Sequence, residues 1–286
     1  MRQAARLAAF LACAWLLAGC SALRIAYDNA DTFLRWRATD YLDLRGEALD
    51  DLNERIDAFH AWHRAEALPK YARFAGEAAS RVEAGFTPAD IVWGYDAFIA
   101  QAGESLREAA ERIAPVLDRL TDGQIAFLEA RFAADNRKFV RENMRGSEKE
   151  RRSLRFRRSR EQLEDWVGPL SEPQLARLRQ YAERTPLFDE LRLRERKRLQ
   201  AELVSMLRAR EARKRLPEAA LNWRQHSDPA YTAASDAFRV QYFRMLGELE
   251  GTLSPMQRAH LVGRLRGYAE DFAALAVARE ARQSRN

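Results

Sequence analysis

The sequence predicts an all-α protein of roughly eight or nine helices, several of them long, arranged as an elongated helical bundle. Three observations lead to this prediction. Only 13 glycines and 9 prolines interrupt the 286 residues, and no segment alternates apolar and polar residues as a half-buried strand would. Apolar residues instead recur every three or four positions, as one buried helix face requires. The clearest series are Leu49, Leu52, Ile56, Phe59 and His63, and Leu261, Leu265, Tyr268, Phe272 and Leu275.

Residues 1–19 have the pattern of a secretory signal peptide, with a basic head, an apolar run and small residues before Cys20. The apolar run is shorter than the ~20 residues that span a bilayer. Its end, Leu17-Ala18-Gly19-Cys20, resembles the bacterial lipobox, in which a peptidase cleaves before a lipid-bearing cysteine. The resemblance implies cleavage between Gly19 and Cys20 and lipid attachment at Cys20. An ordinary signal peptide with an unrelated cysteine, or an N-terminal span, stays open.

Ser21 follows this cysteine. In the sorting rule associated with the lipobox, Asp at this position favours retention in the inner membrane, so Ser21 implies an outer-membrane anchor facing the periplasm. The second cysteine, Cys13, belongs to the leader, so the mature chain from residue 20 to 286 keeps no thiol for a disulfide. Its net positive charge would suggest nucleic acid in a cytosolic protein, but the leader argues against that partner.

The pattern L-[ST]-x-x-Q occurs three times, and each copy predicts a helix start. A hydroxyl at the N-cap accepts a bond from the N3 amide, and glutamine at N3 reaches back to the cap, which makes a capping box. A looser copy begins at Phe86. These copies place helix starts near residues 87, 121, 171 and 254, with the cap residues Thr121, Gln124, Ser171, Gln174, Ser254 and Gln257.

Two family resemblances follow from these motifs. The L-[ST]-x-x-Q copies resemble the LTxxQ signature of small helical periplasmic stress proteins, which include a chaperone for unfolded proteins. The alternative is that helix starts simply reuse a favourable cap. The chain also resembles an uncharacterised family of proteobacterial lipoproteins, a resemblance that implies no activity. It is carried by the lipobox, Tyr27-Asp28-Asn29, Tyr41-Leu42-Asp43-Leu44, Trp62-His63-Arg64 with Leu68, Pro69 and Tyr71, and Leu253–Tyr268.

No residue pattern points to catalysis or to a cofactor. The sequence has no nucleophile elbow, no glycine-rich phosphate loop and no free thiol after cleavage. His60 and His63 are one helical turn apart and could, with Asp57, bind a metal ion. A zinc site needs further ligands at defined spacing. Because His63 belongs to an apolar series, we interpret it as a core histidine bonded to a neighbour, and predict no metal.

A cationic helix face is the most informative feature of the middle of the chain. Residues 137–160 contain 11 Arg or Lys and 3 Glu. On one continuous helix, their cations lie opposite the apolar residues as far as about Leu154. Gly146-Ser147 could kink this helix, and Leu163 and Trp166 predict a bend or break before them. The candidates for binding an anionic partner are Arg137, Arg141, Arg145, Arg152 and Arg155, and we expect the last four to be largely exposed.

These observations favour a non-catalytic, lipid-anchored binding protein that is chaperone-like or a scaffold. The alternative is a structural envelope protein whose arginines bind anionic lipid or cell-wall polymer. Residues 20–136 contain 21 acidic and 13 basic residues. The arginines of the cationic face could pair with these acidic residues instead, and so could a second cationic run over residues 192–215. A division into two helical subdomains that meet near residues 145–170 also stays open.

The lipobox yields the first testable prediction. The Cys20→Ala variant should accumulate as an uncleaved precursor without a lipid, because both the peptidase and the acyl transfer need the thiol. Mass spectrometry and membrane fractionation check this. A Cys20→Ala protein of mature size that still carries an acyl mass would contradict the assignment.

Overall fold

Helices make up most of the chain between residues 22 and 277, the range that the computed structural model describes. Within that range no strand is present, so the all-α prediction is confirmed. The signal peptide, Gly19 and Cys20 lie outside the described residues. Helical residues 22–28 lead into eleven α-helices: α1 (Ala30–Leu42), α2 (Glu47–Trp62), α3 (Leu68–Glu83), α4 (Pro88–Leu117), α5 (Asp122–Asn143), α6 (Glu148–Val167), α7 (Glu172–Arg184), α8 (Asp189–Ala209), α9 (Ala212–Leu221), α10 (Pro229–Glu250) and α11 (Pro255–Val277).

The expected count of eight or nine helices is too low, because some helix breaks carry little sequence signal. Arg210 ends α8 in the left-handed conformation, with φ 56°, and α9 begins two residues later. Glycine is the usual residue for such a position, so an arginine there is not recognisable from sequence. None of the helices in the described range is both long enough and apolar enough to cross a membrane.

The predicted continuous cationic helix is in fact two helices. α5 ends at Asn143, Gly146 adopts a positive φ of 84°, and Ser147 caps α6 in a capping box with Glu150. The expected break before Leu163 and Trp166 is absent, since α6 continues to Val167. Arg137, Lys138 and Arg141 therefore lie on α5 and the cations of residues 149–160 on α6, with Arg145 between the two helices, and one helical wheel does not describe them all.

The repeated motif predicted four helix starts, and in the structure a serine or threonine directly precedes each of these four helices. Thr121 shows the geometry: its Oγ1 accepts from the Gln124 amide at 3.2 Å, and its own amide donates to the Gln124 Oε1 at 2.9 Å. Thr87 forms the same box with Asp90. The helices after these caps begin at Pro88, Asp122, Glu172 and Pro255.

Two of the motif glutamines are buried and bind each other. The Gln174 Nε2 donates to the Gln257 Oε1 at 3.0 Å, and the Gln257 Nε2 donates back to the Gln174 Oε1 at 3.1 Å. Each oxygen also accepts from the backbone amide of its own cap serine, Ser171 or Ser254. Each amide nitrogen also donates to a carbonyl beside the other helix start, at Thr252 or Pro169. The pair therefore joins the starts of α7 and α11.

α11 packs along α3 in the most extensive contact between two helices, and α9 packs along α4 in the next. Small residues line both contacts: Ala75 and Ala79 of α3 are buried, as are Ala110 and Ala114 of α4. A side chain of one methyl group lets two helix backbones approach closely, so these contacts depend on alanine.

Buried apolar residues form two larger core clusters. The first includes Leu52, Leu120, Ile125 and Leu207, from α2, the α4–α5 connection, α5 and α8. The second includes Leu178 and Met245, with α6, α7 and α10 around them. The first cluster uses residues on both sides of the 145–170 segment, so a single cut in the chain does not separate the clusters.

The glutamine pair predicts a stability effect. Gln257→Ala should lower the free energy of unfolding by about 2 kcal/mol, because the Ser254 amide and the Pro169 carbonyl lose buried partners. Denaturant unfolding of the variant measures this.

The more exposed cap provides the matched control. Gln124→Ala removes the same kind of side chain and should cost less, about 1 kcal/mol. Equal stability of Gln257→Ala and the unmodified chain would show that the pair contributes nothing.

Candidate functional site: a cationic groove between α5 and α8

A groove of about 700 Å³ lies between α5 and α8. Three of the five predicted arginines line it, Arg137 and Arg141 from α5 and Arg145 just after that helix. All three are exposed, as expected for Arg141 and Arg145. Lys197 of α8 adds a fourth cation. The structure therefore brings these side chains together around one concave surface.

The floor of this groove is apolar. Phe132 and Val140 of α5 and Leu193 and Val204 of α8 form it, and Val204 belongs to the first core cluster. Asn136 connects the two helices, because its Nδ2 donates to the Gln200 Oε1 at 2.7 Å and its Oδ1 accepts from the Arg196 Nε at 2.9 Å. A ligand in this groove would meet an apolar floor and cations at the edge.

The groove cations have no acidic partner in the described part of the chain. Among residues 22–277, Arg137, Arg141, Arg145 and Lys197 form no ion pair and donate no side-chain hydrogen bond. The groove also contains Glu129, but this carboxylate accepts from Arg208 at 2.8 Å. The four cations are consequently available to an anion that enters the groove.

Other cations of the second basic run do pair with the acidic part of the chain. Arg208 contacts Glu129, Arg196 lies 3.8 Å from Asp135, and Arg213 lies 3.9 Å from Asp118. Pairing within the molecule, which the sequence left open, thus applies to these residues of α8 and α9. Among the described residues, the four groove cations form no such ion pair.

The expectation that Arg152 and Arg155 are exposed is wrong. Both lie on α6 and donate to carbonyl groups at the C-terminal end of α7. Arg152 contacts the Thr185 carbonyl at 3.1 Å, and Arg155 donates to the carbonyls of Thr185 at 2.5 Å and Pro186 at 3.0 Å. Burial lowers the pKa of the Arg155 guanidinium. Cations suit this position because the last carbonyls of a helix carry partial negative charge.

In the second and third copies of the L-[ST]-x-x-Q motif, the glutamines Gln174 and Gln257 are buried as a pair, so they cannot contact a ligand at the surface. Gln124, in the first copy, is partly exposed and donates to the Asp43 carbonyl at 3.1 Å. All three glutamines therefore connect their helix start to another segment of the chain. This geometry supports the simpler interpretation of the motif as a helix cap.

His63 lies in an aromatic cluster at a π-helical turn, His63–Ala67. The Tyr27 hydroxyl is 2.7 Å from its Nδ1, and burial, more than the neighbouring His60, lowers the pKa of His63 to about 4. His63 is therefore neutral at neutral pH, in agreement with our interpretation as a core histidine. Within residues 22–277 no cluster of three or more His, Cys, Asp and Glu side chains could hold a metal ion.

Sequence reasoning missed the contribution of α8 to the groove. A signal was present, since Leu193, Lys197, Gln200 and Val204 recur at spacings of four, three and four. This spacing places one cation and one amide on the same face as two apolar residues. The spacing alone does not identify α5 as the helix opposite.

The different positions of the arginines predict different effects on stability. Arg155→Gln should lower the free energy of unfolding by about 1–2 kcal/mol, because the carbonyls at the end of α7 lose a charged donor. Arg141→Gln, an exposed control, should change it by less than about 0.5 kcal/mol. Denaturant unfolding compares the two. Equal effects would contradict the structural role of Arg155.

Comparison with known proteins gives a family but no activity. No curated protein and no solved structure matches the chain. A family of unknown function, DUF6279, matches residues 40–231, a range that contains the groove and the ends of α7 and α8. Because this match covers more than half of the sequence, the chain belongs to DUF6279.

Proposed function

We propose that this protein is a non-catalytic, outer-membrane-anchored periplasmic lipoprotein that binds unfolded or extended protein segments, as a chaperone-like or scaffolding protein. The groove between α5 and α8 is the binding site in this proposal. The observation that carries it is the set of four unpaired cations along an apolar floor. The lipobox supports the anchor and the periplasmic location, and the leader argues against nucleic acid.

The spacing of the arginines suits an extended acidic segment. Arg137 and Arg141 are one helical turn apart, so successive positions rise ~6 Å along the helix. Side chains on one face of an extended peptide repeat every ~7 Å. A segment with alternating acidic and apolar residues could therefore place carboxylates at the arginines and apolar side chains on the floor.

The second candidate is a structural envelope protein that binds anionic lipid or cell-wall polymer. The same four cations favour it, because an ammonium group attracts any anion and the guanidinium groups can pair bidentately with phosphate as well as with carboxylate. The apolar floor argues against the polymer, and the titrations below separate a protein segment from a lipid. A uniformly polar polymer would leave Phe132 and Val140 without a complementary surface, whereas an extended protein segment would cover them.

Replacing the groove arginines tests the proposal. A variant with Arg137→Gln, Arg141→Gln and Arg145→Gln should bind a peptide of alternating glutamate and valine about tenfold more weakly, if each exposed charge contributes ~0.5 kcal/mol. Added salt should weaken binding to the unmodified protein, since exposed charges are screened over ~8 Å at physiological ionic strength. Fluorescence titration measures both effects.

The matched control removes three exposed cations outside the groove, with Lys149→Gln, Arg157→Gln and Arg194→Gln. It should bind the peptide as the unmodified protein does. Vesicles containing phosphatidylglycerol are titrated in parallel. Loss of vesicle binding in the groove variant, without peptide binding by any protein, would favour the envelope protein. Equal peptide binding by both triple variants would exclude the groove.

A further inference from the structure

The N-terminal helical segment has an exposed face without charge. Residues 22–28 and α1 form one nearly continuous helix, because backbone bonds cross the turn at Asn29. The Asn29 amide donates to the Ile25 carbonyl at 3.3 Å, and the Phe33 amide donates to the Asn29 carbonyl at 3.1 Å. The helical period therefore applies from residue 22 to residue 42, and it separates two faces.

The inner face is fixed by contacts with the rest of the molecule. Arg24 lies 2.5 Å from Asp271 of α11, and the Tyr27 hydroxyl contacts His63. Arg64 donates to Asp28 at 2.5 Å, and further along, Leu42 is buried in the first core cluster. These contacts lie along the whole segment, so its rotation about the helix axis is determined.

The outer face is apolar or neutral from residue 22 to residue 36. Ile25 is 63% exposed, Phe33 58% and Trp36 59%, and the rings of Phe33 and Trp36 are 5.9 Å apart. In a chain that is 31% charged, seven exposed positions at helical spacing carry no charge. They are Ala22, Ile25, Ala26, Asn29, Thr32, Phe33 and Trp36.

The geometry points to the bilayer surface as the partner of this face, with the helix lying along the membrane and Trp36 at its interface. The inference rests on the lipid anchor of the proposed function. Only Ser21, which lies beyond the described range, separates residue 22 from Cys20, so the two are at most ~7 Å apart along the chain. The outer face therefore begins beside the predicted acyl chains.

The length of the segment indicates how its helix axis is oriented relative to the bilayer. Trp36 lies eleven residues after Ile25, a rise of ~16 Å along the helix. An upright helix would hold Trp36 far from the bilayer, whereas a helix lying flat brings Ile25, Phe33 and Trp36 to the same depth. Aromatic side chains are favoured at the level of the lipid headgroups, which suits Phe33 and Trp36.

Depth-dependent fluorescence quenching tests this inference on the full chain. Phe33→Cys and Trp36→Cys are labelled separately with an environment-sensitive dye, since the acylated Cys20 is not available to the reagent. The purified proteins are reconstituted into vesicles of phosphatidylethanolamine and phosphatidylglycerol. Met256→Cys is the control, because Met256 is 81% exposed and lies at the start of α11, outside the uncharged outer face.

We expect nitroxide-bearing lipids to quench the labels at residues 33 and 36 and to leave the label at residue 256 unquenched. Aqueous iodide should do the reverse. Iodide quenching at all three positions, in protein that mass spectrometry shows to be acylated, would overturn the inference while the anchor stands. Labels at residues 33 and 36 that neither quencher reaches would overturn it too, in favour of a second copy of the chain.

If the lipid anchor is absent, the experiment gives a different result. Protein without an acyl mass would exclude the lipobox assignment, and the labels, repeated in a background with Cys13→Ala and Cys20→Ala, then report whether the chain binds added vesicles through this face. Lipid quenching would still support the bilayer as its partner, and its absence would overturn the inference. Circular dichroism of each labelled variant verifies that the helices are intact.

Discussion

The reciprocal hydrogen bonds between Gln174 and Gln257 hold the starts of α7 and α11 together. Their position matters because α11 packs along the whole of α3, and Asp271 near its far end binds Arg24 of the N-terminal segment. Residues more than eighty positions apart in sequence are thus joined at one point. A buried amide pair with every donor and acceptor used costs little and specifies one arrangement, whereas a half-satisfied pair would be destabilising.

The arginines of this protein divide into those that serve the fold and those that do not. Arg152 and Arg155 bind the carbonyls at the end of α7, and Arg208 binds Glu129. The groove cations have no such partner within residues 22–277. Unpaired like charges along one groove repel each other, so the fold gains nothing from their arrangement. The proposed binding role would use these charges, whereas the fold does not depend on them.

Local sequence signals predicted the local features of this fold. The capping residues marked helix starts at Thr121, Ser171 and Ser254 because a cap is made within four consecutive residues. The same reasoning missed the contacts between distant segments. A helical wheel placed Arg155 opposite the apolar face of its helix, but it carries no information on the end of α7, which lies against that side. The opposite wall of the groove, with Lys197, was missed for the same reason.

The break at Gly146 was recognised only as a kink, because glycine and serine are compatible with either outcome. The capping box between Ser147 and Glu150 was the signal that distinguishes them. Arg141 and Arg145 were nevertheless predicted correctly to be exposed, and for Arg141 this follows from the period of α5.

Site-specific photocrosslinking in intact cells tests the central claim most directly, namely that the groove between α5 and α8 binds a partner. A photoreactive residue at Ala133, which is exposed and lines the groove, is compared with one at Glu161, which is exposed on α6 outside it. We predict polypeptide adducts at residue 133 that disappear when the three groove arginines are replaced by glutamine. Adducts at residue 133 no more abundant than those at residue 161, or unaffected by the replacement, would contradict the account.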